Sequence, residues 1–98
     1  MDFKVIITDQ AVKDLCEIAD FIGADNPEAA ANFCDKLIDH SLKLTRFPER
    51  GRVLQKIKDP LIREVIYRSY RIVYKIDPLF REVYIARFWH SARGEPTL

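Results

Sequence analysis

Apolar residues recur at steps of three and four up to residue 42 and alternate singly after residue 61, so this chain must pack helices against strands. The first helical run carries Val12, Leu15, Ala19 and Ile22 on one stripe, with Asp14, Glu17 and Asp20 largely off it. Thr8 or Asp9 can cap its start by accepting a hydrogen bond from an orphan amide of the first turn, and Gly23 ends it. A second run opens at Asn26-Pro27-Glu28, where Asn caps, Pro suits the first helical position and Glu complements the positive end of the helix dipole. Its stripe is Ala30, Phe33, Cys34, Leu37, Ile38, Ser41 and Leu42, and it should stop before Pro48. The short connection between the runs forces the two helices into an antiparallel hairpin.

Four stretches read as strands. Phe3 to Thr8 is rich in β-branched and aromatic residues, and Ile62 to Arg68, Tyr70 to Ile76 and Glu82 to Phe88 alternate. Asp77-Pro78 followed by Leu79-Phe80-Arg81 supplies a turn between the last two. Along the final run Val83 and Ile85 point one way and Tyr84, Ala86 and Phe88 the other. Pro48 to Pro60, with Gly51 and several bases, reads as a loop without usable periodicity. The expected architecture is one α+β domain over residues 1–98, β-α-α-β-β-β, with an N-terminal strand and a helical hairpin packed on an antiparallel sheet whose other face is partly open. At 98 residues, one core is the ceiling.

Charge divides along the chain. Up to residue 45 stand four bases against nine acids, and after it twelve bases against six acids. The net charge of +1 therefore hides an acidic helical half and a basic strand half, which favours an acidic partner, protein or nucleic acid. No apolar run approaches the roughly 20 residues of a membrane span, and the N-terminus lacks the basic region, apolar stretch and cleavage site of a secretory signal. The expectation is a cytoplasmic protein with no membrane partner. Cys16 and Cys34 fall among apolar residues of the two helices, outside any CxxC or Cys/His cluster, and are expected to be buried free thiols.

Chemistry concentrates in the last two strands. Arg71 and Lys75 flank Val73 on one face, opposite Tyr70, Ile72, Tyr74 and Ile76. Arg71 can grip a phosphate or carboxylate with two parallel N–H groups, or pair with Glu64 or Glu82 across the sheet. The ending Arg87-Phe88-Trp89-His90-Ser91-Ala92-Arg93 sets a histidine that titrates near neutrality among guanidiniums and aromatics. Such a group can exchange protons with a ribose hydroxyl while Arg71, Arg87 or Arg93 stabilises phosphorane charge, or it can be a hydrogen-bonding strand-end residue. His40, beside Asp39 and Ser41, reads as a solvated helix-face residue. Gly23, Gly51 and Gly94 form no phosphate-cradling loop, the two histidines and two cysteines have no metal-ligand spacing, and Ser41, Ser69 and Ser91 occupy no nucleophile elbow. No cofactor and no metal are expected.

Several segments together resemble the RelE/ParE superfamily, the toxin components of type II toxin–antitoxin modules. They are Ala11 to Ile18, Asp25 to Ala30, Leu44 to Pro48 with Gly51-Arg52, Tyr70 to Asp77, and Trp89-His90-Ser91-Ala92-Arg93. The resemblance covers nearly the whole chain. It implies a growth-arresting toxin, of the plasmid-stabilisation type, neutralised by a cognate antitoxin. RelE-like members cut messenger RNA on the ribosome, whereas ParE-like members bind DNA gyrase and block replication without acting as nucleases. Arg71 falls where RelE-like members carry a phosphate-contacting arginine, and His90 falls near a terminal histidine that some nuclease members use. Yet Ser91 stands where those nucleases tend to have a tyrosine, and no glutamate stands between Val53 and Lys58 to act as their base.

Gly51-Arg52, Ile62-Arg63 and the closing His90-x-x-Arg93 look more like the ParE-like pattern. The expectation is thus a gyrase-binding toxin that uses Arg63, Arg71, Arg87, His90 and Arg93 as contacts to its target or antitoxin, with enzymatic activity left open. An acidic antitoxin segment is expected to place apolar anchors beside Phe33, Leu37 and Tyr74. The alternatives are a metal-independent mRNA endoribonuclease acting through His90 and Arg71 on the ribosome, and a non-toxic, partner-binding member of the fold.

Overall fold

A computed structural model describes residues 2–98 of the chain. Thr8 turns strand into helix. Its Oγ1 accepts from the Ala11 amide at 3.2 Å and donates to the Ile85 carbonyl at 2.7 Å, so one hydroxyl caps α1 (Asp9–Gly23) and ties it to the last strand. Asn26 caps α2 (Pro27–Leu42), its Oδ1 accepting from the Ala29 amide at 3.0 Å. α2 runs out at Leu42 into two 3-10 turns, Lys43–Thr45 and Pro48–Arg50.

The strands are β1 (Lys4–Ile7), β2 (Arg52–Val53), β3 (Ile62–Tyr67), β4 (Tyr70–Asp77) and β5 (Glu82–His90), and they form one sheet in the order β1-β5-β4-β3-β2. β2 to β5 are antiparallel, as expected, but β1 pairs with β5 in parallel, so the sheet is mixed. Both helices and then β2, β3 and β4 lie between the two parallel partners, which meets the need of a parallel pair for a long connection. β2 lies in the segment that reads as a loop, where two residues are too short to show any period.

The helices cover one sheet face. Its core joins Ile72, Tyr74 and Ile76 of β4, Val83, Ile85 and Phe88 of β5, Ala11 and Ile18 of α1, Leu37 of α2, and Leu44. Phe88 thus shares a face with Val83 and Ile85, contrary to simple alternation. Val73 pairs with Arg87 and Tyr74 with Ile85, which leaves Ala86 as an extra residue that flips every later side chain. α1 is also rotated from its expected stripe: Ala11, Asp14 and Ile18 are buried and Val12 is exposed.

Cys16 is exposed and Cys34 half-buried, both free, so the expectation of two buried thiols fails for Cys16. Leu37 and Tyr74 are completely buried and so cannot themselves line a groove for a partner's anchors, whereas Phe33 is half-buried. The Tyr74 hydroxyl donates to the Pro48 carbonyl at 2.6 Å and accepts from the Gly51 amide at 3.0 Å, and burial pushes its pKa up. Only glycine fits at 51, since a Cβ there would lie 2.6 Å from the Glu64 carbonyl oxygen.

Candidate functional site

Arg71 lies on the sheet face away from the helices, opposite Ile66 of β3 and Trp89 of β5. Of its two expected partners, Glu64 takes it. Arg71 Nε donates to Glu64 Oε1 and Nη2 to Oε2 at 3.3 Å, while Arg52 Nε reaches Oε2 at 2.8 Å. Glu64 is 3% exposed, so one buried carboxylate bridges guanidiniums from β2 and β4. The hydrogen bond to Glu64 raises the Arg71 pKa above its ordinary value.

Arg87 repeats the arrangement at the other edge of β5. Its Nε and Nη2 donate to Asp14 Oδ2 and Oδ1 at 2.9 and 3.0 Å, and Asp14 Oδ2 also accepts from the Phe88 amide at 3.0 Å. β1 pairs only as far as Ile85, so the Phe88 amide lies beyond its reach and Asp14 satisfies it instead. The sequence carries one sign of this: Asp14 sits between Ala11 and Ile18 at helical spacing, on the stripe the fold uses. The hydrogen bond to Asp14 raises the Arg87 pKa.

After β5 a 3-10 turn, Ser91–Arg93, reverses the chain, and Gly94, at φ +81°, leads the tail back across this face. The Gly94 carbonyl accepts from Trp89 Nε1 at 3.0 Å and from Arg71 Nη1 at 3.3 Å. The Thr97 carbonyl and hydroxyl accept from Arg87 Nη1 at 2.8 and 3.1 Å, and Glu95 stands 3.7 Å from Arg71. The face expected to be partly open is therefore strapped by residues 94–97, with both guanidiniums largely covered.

His90 Nδ1 accepts from the Ala92 amide at 3.1 Å and so caps the 3-10 turn, while its ring meets Tyr70 edge-on at 5.0 Å between centroids. Arg93 is exposed and lies over Trp89 at 4.0 Å. Both line a cavity of about 140 Å³ with Asp14, Glu17, Phe21 and Tyr70. Arg63 stands apart from this group: it donates to the carbonyls of Pro60 at 2.9 Å, Gly51 at 3.0 Å and Glu49 at 3.3 Å, which pins the segment before β2.

The five expected contact residues thus do not form one patch. Arg71, Arg87, His90 and Arg93 share the end of the sheet where β5 finishes, and Arg63 serves as a staple elsewhere. His40, expected to be solvated, stacks on Tyr67 at 4.4 Å, and burial, with Lys43 and Arg50, lowers its pKa. A second cavity, about 520 Å³, opens between Arg52, Lys56, Glu64, Arg71, Ser91 and Glu95. Lys56 carries no signal in the sequence because the segment around it shows no period, and Arg52 enters there only through the Gly51-Arg52 pattern.

Residues 5–94 match the family described as the ParE toxin of type II toxin-antitoxin system, parDE. The chain belongs to the ParE toxin family. It is a toxin of the type II toxin–antitoxin class within the ParE/RelE superfamily. Solved structures share the fold of this ParE-family chain. The RelBE2 toxin–antitoxin complex from Mycobacterium tuberculosis matches with a TM-score of 0.67 and 24% identity, over 92% of this chain and 99% of that one. The chromosomal ParDE system from P. aeruginosa matches with a TM-score of 0.72 and 18% identity, over 90% and 95%. No curated protein matches the sequence significantly. Among the described residues no cluster of three or more candidate metal ligands occurs, and no helix is long and apolar enough to cross a membrane.

Proposed function

We propose that this ParE-family chain arrests growth by binding DNA gyrase, and that a cognate antitoxin neutralises it. The observation that carries this reading is the family match over residues 5–94, since the family is that of ParE toxins. The geometry is consistent with binding rather than proton transfer: Arg71 and Arg87 are tied to Glu64 and Asp14, and His90 Nδ1 caps a turn. The structural neighbours are toxin–antitoxin complexes, which supports an antitoxin partner; the cytoplasm is where this reading puts the pair. His90 and Arg93 offer the contacts to target or antitoxin. Arg71 and Arg87 shape the face from beneath the tail, and Arg63 holds the segment before β2.

A second reading, ribosome-dependent cleavage of messenger RNA, draws on the 520 Å³ cavity, where Lys56 stands beside Arg52 and Arg71, both held by Glu64, while His90 lines the smaller cavity. Induction of the chain in a bacterial host separates the two. Gyrase binding predicts that DNA synthesis fails first with transcripts intact, that Arg93→Ala weakens arrest, and that His90→Gln retains most of it. Early transcript cleavage, lost in His90→Gln, would establish the nuclease. No arrest from the folded chain would leave the non-toxic, partner-binding role.

A further inference from the structure

β4 and β5 meet His90 and Arg93 at one end and the 77–81 turn at the other, about 23 Å away at the usual rise of a strand. That far end carries a surface that, of the five expected contact residues, only Arg63 borders. A cavity of about 530 Å³ opens there between Phe3, Arg46, Phe47, Arg50 and Arg81. A smaller one of about 230 Å³ adjoins it through Phe3 and Glu49 and reaches Leu61 and Pro78. Exposed apolar side chains stand at this end: Phe47, in the lining, is 65% exposed, and in the turn that precedes Arg81 Leu79 is 83% and Phe80 70% exposed. Large apolar groups gathered around a cavity, rather than scattered, mark interaction surfaces.

The charges around this rim have one dominant sign. Arg46 and Arg50 are exposed, and among the described residues neither guanidinium has a hydrogen bond or ion pair within the chain. Arg81 lies over the Phe3 ring at 4.7 Å, which adds a cation against the aromatic floor. Glu49 is the single acid lining the cavity.

We infer that this end of the sheet is a docking surface for an acidic protein segment with aromatic or aliphatic anchors. The anchors seat against Phe3, Phe47 and the Leu79-Phe80 turn, and the segment's carboxylates meet Arg46 and Arg50. Apolar Leu79, with Glu49 inside the rim, suits a peptide better than a phosphate backbone. A second copy of this chain, offering its own acidic helices, is the alternative occupant that the test below separates. The surface is independent of which target the opposite end engages.

The test uses the full chain and a fluorescein-labelled twelve-residue peptide of alternating Glu and Leu with two Leu replaced by Phe, followed by anisotropy. Binding should weaken at least tenfold in Arg46→Glu/Arg50→Glu and in Phe47→Ser, exposed positions at which circular dichroism should remain unchanged. Arg93→Ala should bind as the parent does, and a Lys-for-Glu peptide should not bind. Failure of the parent chain to bind, or equal binding by the double variant, overturns the assignment. A single-stranded oligonucleotide bound by the parent and lost in the same variants reassigns the surface to nucleic acid. Self-association in sedimentation, abolished by those variants, reassigns it to a second copy.

Discussion

Asp14 and Glu64 are each 3% exposed and each hold a guanidinium with both oxygens. A buried pair of this kind contributes modestly as a pair, but removal of one partner strands the other charge, at about 3–5 kcal/mol. Asp14→Ala also orphans the Phe88 amide, so the urea midpoint should drop by an equivalent amount, a large part of the stability of a domain this size. A drop corresponding to less than about 1 kcal/mol would mean that Arg87 and Phe88 find other partners. His40 gives the pH dependence. Burial, then Lys43 and Arg50, lower its folded pKa, with Asp39 opposing, while the unfolded chain titrates near 6.5. The unfolded state therefore binds more protons just below pH 6.5, and stability falls as pH drops through that value. Urea titrations from pH 7.5 to 5.5 should show this slope in the parent and a shallower one in His40→Gln; equal slopes would remove His40 as the cause.

At the scale of elements, the tail and β5 act together. The tail gives Trp89 its hydrogen-bond acceptor and gives Arg87 two more, all through Gly94 and Thr97. Truncation after Arg93 should shift the emission of Trp89, the single tryptophan, to longer wavelength, and should cost about 1–3 kcal/mol of stability in urea unfolding. An unchanged spectrum would mean that the strap does not cover Trp89 in solution. Both helices were legible from their caps and stripes, because local backbone chemistry decides where a helix starts. The strap was not, since Gly-Glu-Pro-Thr has no period and its side-chain partners are Arg87 and Trp89 of β5 and Arg71 of β4. The bulge at Ala86 was equally silent: alternation assigns Phe88 to the wrong face, and only pairing with β4 reveals the extra residue.

Over the whole molecule the charge division persists, with the acidic run on the hairpin and the bases on the sheet and its connecting segments. The sequence pI is about 7.8, yet a separated charge distribution keeps a strong local field. At pH 7.8 and low ionic strength the chain should still bind a sulfonate cation exchanger and elute with salt, since exposed charges more than a Debye length apart are screened. Arg46→Glu/Arg50→Glu should elute earlier. Passage of the parent straight through would show that the two halves cancel. From sequence alone follow the order of the elements other than β2, the helix caps, the α+β class and the resemblance to the toxin superfamily, because periodicity and capping are local properties of the chain. Tertiary structure alone decided that β1 runs parallel to β5, that Asp14 claims Arg87, that Glu64 rather than Glu82 claims Arg71, and that Arg63 is a staple. Those outcomes depend on which distant residue arrives beside each guanidinium or unpaired amide, and no local pattern records that.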